Sequence, residues 1–257
     1  MEIATIEAAL AREGLIPRGG FHPEPGDGVP GLENGAPART LVLVGNAGPA
    51  LWRAFAASPE FGPESGPESG PESGTLPDPL NRWSARVIGE LAAAWGGRAL
   101  YPFGGPPHLP FVAWAKRAEP VAESPLGILI HPDYGLWHAY RGALAFAEAL
   151  DLPPRAERPR PCDACADRPC LSACPVGAFS PAGTDVADPG VAGPNVADYD
   201  VSACANHLAS PAGADCMAEA CRARRACPIG REYLYAPEQA AFHMVHFLEA
   251  RRRDGAP

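Results

Sequence analysis

The chain has 257 residues, 46% of them hydrophobic and 20% charged, with a formal charge of −9. That length holds one large or two modest domains. The acidic excess repels polyphosphate, and no apolar run reaches the roughly 18 residues that span a bilayer, so neither nucleic acid nor membrane is an expected partner.

The opening stretch, MEIATIEAAL, has no basic segment of the kind that starts an export signal, so the cytoplasm is the expected compartment. Ile3, Ile6 and Leu10 fall near one helical face over 3–13, with Gly14 as a stop. Residues 15–39, rich in Pro and Gly, read as a loop. Thr40–Gly45 is a short, partly β-branched apolar run and reads as a buried strand. A helix follows over 49–57, with Pro49 near its start. Residues 62–74, GPESGPESGPESG, have no apolar content and read as a flexible acidic insertion. From Asp78 to Trp95, Leu80, Trp83, Val87, Ile88, Leu91 and Ala94 share a helical face, with Asp78 as the candidate cap.

Leu100–Pro110 reads as a shaped loop and 111–118 as a helix. Gly127–Phe146 reads as a hairpin with its turn at Pro132–Gly135. That hairpin is crowded with His131, Tyr134, Trp137, His138, Tyr140 and Arg141. Residues 151–161 form a Pro/Arg-rich linker, 181–197 is rich in Gly, Pro and Asp, and 236–251 is an amphipathic closing helix. The expected division is an α/β domain over 1–155 and a cysteine-rich domain over 156–257.

All eight cysteines lie in the second part. Without an export signal, disulfides are not expected, and ligation of a metal or cluster is the default. The first run is Cys162-x2-Cys165-x4-Cys170-x3-Cys174-Pro175. It differs from the bacterial ferredoxin run, C-x2-C-x2-C-x3-C-P, in one gap. The second run, Cys204-x11-Cys216-x4-Cys221-x5-Cys227-Pro228, is stretched but ends in the same Cys-Pro. In two-cluster proteins the fourth cysteine of a run serves the other cluster. The expected ligand sets are therefore Cys162, Cys165, Cys170 and Cys227 for one 4Fe-4S cluster, and Cys174, Cys204, Cys216 and Cys221 for a second. Structural zinc is the competing use. Zinc sites of four cysteines favour two C-x2-C pairs, and only Cys162/Cys165 is such a pair.

Cys162–Pro228 resembles the dicluster domain of epoxyqueuosine reductases and reductive dehalogenases, which couple two 4Fe-4S clusters to a cobalamin. Residues 40–55 (TLVLVGNAGPALWRAF), 78–91 (DPLNRWSARVIGEL) and above all 127–144 (GILIHPDYGLWHAYRGAL) resemble the CblC-type cobalamin-processing family. The sharpest element is the Ile-His-Pro-x-aromatic-Gly-x-Trp pattern followed by Arg-Gly. The resemblance implies a nitroreductase-like (CblC-type) sheet-and-helix domain, of α+β or α/β class, followed by a dicluster ferredoxin-like domain. It also implies base-off cobalamin binding and a fold that often pairs as a homodimer. His131, Pro132, Gly135, Trp137, Arg141 and Gly142 fall on the family pattern. Arg117 stands where the family has a basic residue implicated in thiol binding, and Asp133 where the family has an arginine.

These readings combine into one expectation, a cytoplasmic iron–sulfur oxidoreductase. A redox partner protein supplies electrons, the two clusters relay them, and a small-molecule corrinoid receives them. His131, Trp137, Arg141 and Arg117 are the candidate cofactor-binding residues, and Tyr134 and Tyr140 the candidate proton donors. The alternatives are a two-cluster ferredoxin-type carrier without corrinoid and a flavin-dependent reductase.

Overall fold

The computed structural model describes residues 1–62, 78–180 and 196–253. Most of the GPES segment and of the 181–197 stretch therefore lies outside the described residues. The protein is a mixture of helices and small sheets. It divides into two units: residues 1–120 with 138–158, and residues 121–137 with 159–257.

The first unit is built on one antiparallel sheet. Its strands are β1 (Ile16–Phe21), β2 (Thr40–Ala47), β3 (Arg98–Leu100) and β6 (His138–Phe146), in the order β1-β2-β6-β3. Strand β2 is apolar along almost its whole length because it is central, and residues 40–46 are all buried. Helix α3 (Pro79–Ala94) packs on β6 and β3, turning Leu80, Trp83, Val87 and Ile88 inward. Leu91 and Ala94, expected on that face, are less covered, and Ala92 is buried instead. Asp78 occupies the cap position but makes no capping hydrogen bond, because it adopts a left-handed conformation. Helices α1 (Ile3–Ala11), α2 (Ala50–Ala56) and α4 (Phe111–Ala118) complete the unit, burying Ile6, Leu10, Leu51, Phe55, Trp114 and Ala115.

Two expectations change here. Residues 16–21, expected as loop, form strand β1. It lies at the sheet edge and carries a register shift between Pro17 and Gly20, a position where a strand tolerates proline. The expected 127–146 hairpin does not form. The short strand β5 (Leu129–Ile130) pairs with β4 (Ala122–Glu123), while β6 pairs with β2 and β3. Alternating apolar and polar residues mark a strand but do not name its partner.

In the second unit, the turn His131–Gly135 closes on itself through paired backbone hydrogen bonds. Gly135, at φ 57°, sits so close to the Ile229 carbonyl that a Cβ there would lie 2.0 Å from its oxygen; a Cβ on Gly230, at φ 71°, would lie 2.3 Å from Tyr134. This backbone contact ties 121–137 to the chain just beyond Cys227. Helices carry the rest: the short α5 (Pro169–Ser172), α6 (Val201–Leu208), α7 (Ala214–Glu219) and α8 (Arg222–Arg225), and the long α9 (Pro237–Arg253). Strands β7 (Phe179–Ser180) and β8 (Asp198–Tyr199) pair through Phe179 and Tyr199, whose rings stack 4.7 Å apart. No helix among the described residues is long and apolar enough to cross a membrane.

Candidate functional site

Four of the cysteines lie in short elements, and Cys165 and Cys174 lie in irregular chain. Cys162 lies in the 3-10 turn Pro161–Asp163, Cys170 in α5, Cys204 in α6 and Cys216 in α7. Cys221 caps the start of α8, and Cys227 follows its end. All eight are free thiols. Helix α5 packs on α8, which brings Cys170 near Cys227. Helices α6 and α7 pack on each other and on α9, so Cys204 and Cys216 share an apolar cluster with Leu208 and Leu248.

The thiols gather in two quartets. Cys162, Cys165, Cys170 and Cys227 line one cavity, walled by Ile130, Leu136 and Ile229. Burial raises the Cys162 thiol above its ordinary pKa, with Cys227 and Cys165 adding to the rise. Burial also pushes Cys170 up to about 11, with contributions from Cys227, Cys162 and Cys165. Cys204 belongs to a different neighbourhood: burial raises it, and Cys221, Cys174 and Cys216 act on it. Cys221 is likewise raised by burial and by Cys216 and Cys174. Cys174 therefore stands with the later run although it is four residues from Cys170, and Cys227 stands with the earlier one. Among the described residues no group of three or more Cys, His, Asp or Glu side chains is placed to hold a metal ion. A tetrahedral ion with bonds of about 2.3 Å holds its sulfurs within about 4 Å of one another. A four-iron cube stands between its thiolates and takes a wider ring.

Donors surround the sulfurs. The Ala178 amide donates to Cys174 Sγ at 3.4 Å. The backbone of Ala223 and Arg224 serves Cys221, and that of Ile229 serves Cys227. The Tyr199 hydroxyl donates to Cys204, and burial raises the tyrosine pKa well above its ordinary value. Sequence reasoning did not single out Tyr199. A tyrosine five residues before a cysteine carries no motif, and its placement depends on the β7–β8 pair. The donor set fits iron–sulfur clusters: four cysteines per site, apolar walls and hydrogen bonds to sulfur.

The six residues expected around a corrinoid divide between the units. His131, Tyr134 and Trp137 lie in the cysteine-bearing unit. His131 is buried, its Nδ1 accepts the Asp133 and Tyr134 amides at 3.0 and 3.3 Å, and its ring stacks on Tyr134 at 4.2 Å. Trp137 is 1% exposed, with the Arg224 guanidinium 4.3 Å from its ring centre.

Arg117, Tyr140 and Arg141 lie in the sheet unit. Arg117 is held by Asp27, Glu24 and the His22 carbonyl. Arg141 donates to Ser84 Oγ at 3.0 Å and Asn81 Oδ1 at 2.8 Å. The Tyr140 hydroxyl donates to Glu119 at 2.7 Å, and burial raises its pKa well above the ordinary tyrosine value. Glu119 in turn forms a bidentate pair with fully buried Arg18 at 2.7–2.8 Å, and Arg18 also reaches His138 Nδ1 and the Asn46 carbonyl. This network was not legible in the sequence, since Arg18 lies in the strand that read as loop.

The chain matches no family model, no curated protein and no solved structure.

Proposed function

We propose that the protein is an iron–sulfur redox protein carrying two 4Fe-4S clusters. One would rest on Cys162, Cys165, Cys170 and Cys227, the other on Cys174, Cys204, Cys216 and Cys221. The observation that carries this reading is the division of eight free thiols into two quartets, each mixing cysteines from both runs. When bound, such clusters supply one-electron transfer at potentials set by hydrogen bonding and solvent exposure. The chain's own part is to hold the thiols, wall them with apolar side chains and aim Ala178, Ile229 and Tyr199 donors at sulfur. A nitroreductase-like sheet unit followed in the sequence by a dicluster ferredoxin-like unit is the finer architecture that goes with it.

A corrinoid as electron acceptor is the narrower form of this proposal. Its support is the His131–Arg141 sequence pattern. The plain carrier is favoured by a different observation: Arg117, Arg141 and Tyr140 are each already engaged by groups of their own unit. Anaerobic purification with iron and sulfide analysis tests the proposal. Two clusters require about eight irons and eight sulfides per chain; zinc without iron contradicts it. Adding cobalamin separates the two forms. A shift to the base-off spectrum supports the corrinoid acceptor, and no shift at saturation supports the carrier.

A further inference from the structure

Strands β7 and β8 form a small clip beside the quartet Cys174, Cys204, Cys216 and Cys221, and each side of the clip brings one donor to a sulfur. Just before Phe179, the Ala178 amide donates to Cys174 Sγ at 3.4 Å. From the other strand the Tyr199 hydroxyl donates to Cys204, and Cys221 and Cys174 lie close enough to act on it. The clip is held at several points. Phe179 pairs with Tyr199 across the ladder, and their rings stack at 4.7 Å with planes 6° apart. The Asp200 amide donates to the Ala178 carbonyl at 2.9 Å. Asp200 then opens α6: its carboxylate accepts from the Ala203 amide at 2.8 Å, and its carbonyl from the Cys204 amide at 3.2 Å. Consecutive hydrogen bonds thus tie Tyr199 to the helix that carries its acceptor.

Packing alone does not call for this hydroxyl. The stack needs two rings, and Phe179 supplies its half without a polar atom. A phenol drawn out of water needs an acceptor, and the acceptor of half-buried Tyr199 is a sulfur of the quartet. A donor aimed at a cluster's sulfur favours the more negative state and so raises the reduction potential.

We propose that Tyr199 is a potential-setting residue: its hydroxyl on Cys204 raises the reduction potential of the cluster carried by Cys174, Cys204, Cys216 and Cys221. This rests on the two-cluster reading above. Tyr199 gives up no proton and forms no covalent bond. One electron added at the site puts more negative charge on the sulfur that the hydroxyl faces, so loss of the hydroxyl costs the reduced state more than the oxidised one.

The test is a dye-mediated, oxygen-free redox titration of the intact chain, followed at its visible iron–sulfur absorption, with Tyr199→Phe beside it. That variant keeps the ring and its stack and loses only the hydroxyl. Circular dichroism and an iron content of about eight per chain are expected to match wild type. Half of the absorbance change moves to more negative potential in Tyr199→Phe, and the other half stays in place. An unmoved titration, an equal shift of both halves, a shift to more positive potential, or loss of iron from a folded variant overturns the inference. Phe179→Leu keeps the hydroxyl but removes the ring that holds it, and should move the same half in the same direction by less. If Tyr199→Phe does not fold, Phe179→Leu decides, and an unmoved titration there overturns the inference. Iron and sulfide analysis of wild type scores the cluster reading separately: a chain without iron overturns both, whereas about eight irons with an unmoved titration overturns the role of Tyr199 alone.

Discussion

A proline directly after a cysteine has no amide hydrogen to give that cysteine's sulfur. Past Cys227-Pro228 the first amide that can reach back is that of Ile229, and past Cys174-Pro175 the donor is Ala178. Both Cys-Pro cysteines stand apart from their own runs and sit with the other quartet. Double substitutions test this exchange. If the quartets hold the clusters, Cys162→Ser with Cys227→Ser removes one cluster and leaves about half the iron. Cys162→Ser with Cys174→Ser removes both clusters. Iron analysis of the two variants decides, and the reverse order of iron contents would show that each run serves its own cluster. The grouping of the cysteines was legible because their spacing, with its two Cys-Pro ends, carried it. Tyr199 and the Arg18–Glu119–Tyr140 network were not, because each depends on strand pairing that local sequence does not announce.

At the scale of elements, a continuous apolar run located β2 and a repeating apolar face located α3, and the segments read as helices over 111–118 and 236–251 form α4 and α9. Such signals failed for β1, whose Pro-Arg-Gly-Gly sequence has no pattern and is ordered by its neighbour β2. The 127–146 segment misled in another way: its two strands have different partners, and the His131–Gly135 turn belongs to neither ladder. The contact between Gly135 and the Ile229–Gly230 backbone makes Gly135→Ala strongly destabilising. A left-handed residue costs about 1–2 kcal/mol without glycine, and the 2.0 Å overlap adds to it. Chemical denaturation of the purified chain should show a loss of at least about 2 kcal/mol, and an unchanged midpoint would remove this contact from the account.

A pH effect belongs to the pair that links the Pro59–Phe61 turn to α3. The Arg86 guanidinium, donating to Glu60 at 2.6 Å, lowers the Glu60 carboxyl from 4.5 to about 2. A lowered carboxyl pKa gives stability that is complete above pH 4.5 and lost as pH falls toward 2. The stability difference between wild type and Glu60→Gln should therefore shrink over that window. A constant difference from pH 7 to pH 3 would count against the pairing.

For the whole molecule, the chain supplies two units of different character. One is an antiparallel sheet dressed with helices. The other is a set of helices, short apart from α9, whose interior is largely sulfur and apolar side chains. Composition announced the second unit, since all eight cysteines fall in one quarter of the sequence. It did not announce that residues 121–137 group with that unit, because their contacts run to residues almost a hundred positions later. The central claim is that these thiols hold two clusters close together. Electron paramagnetic resonance of the anaerobically purified, dithionite-reduced chain tests this most directly. The account predicts a signal broadened by coupling between two reduced clusters and integrating to about two spins per chain; a single sharp signal of about one spin, or no signal from a folded chain, would contradict it.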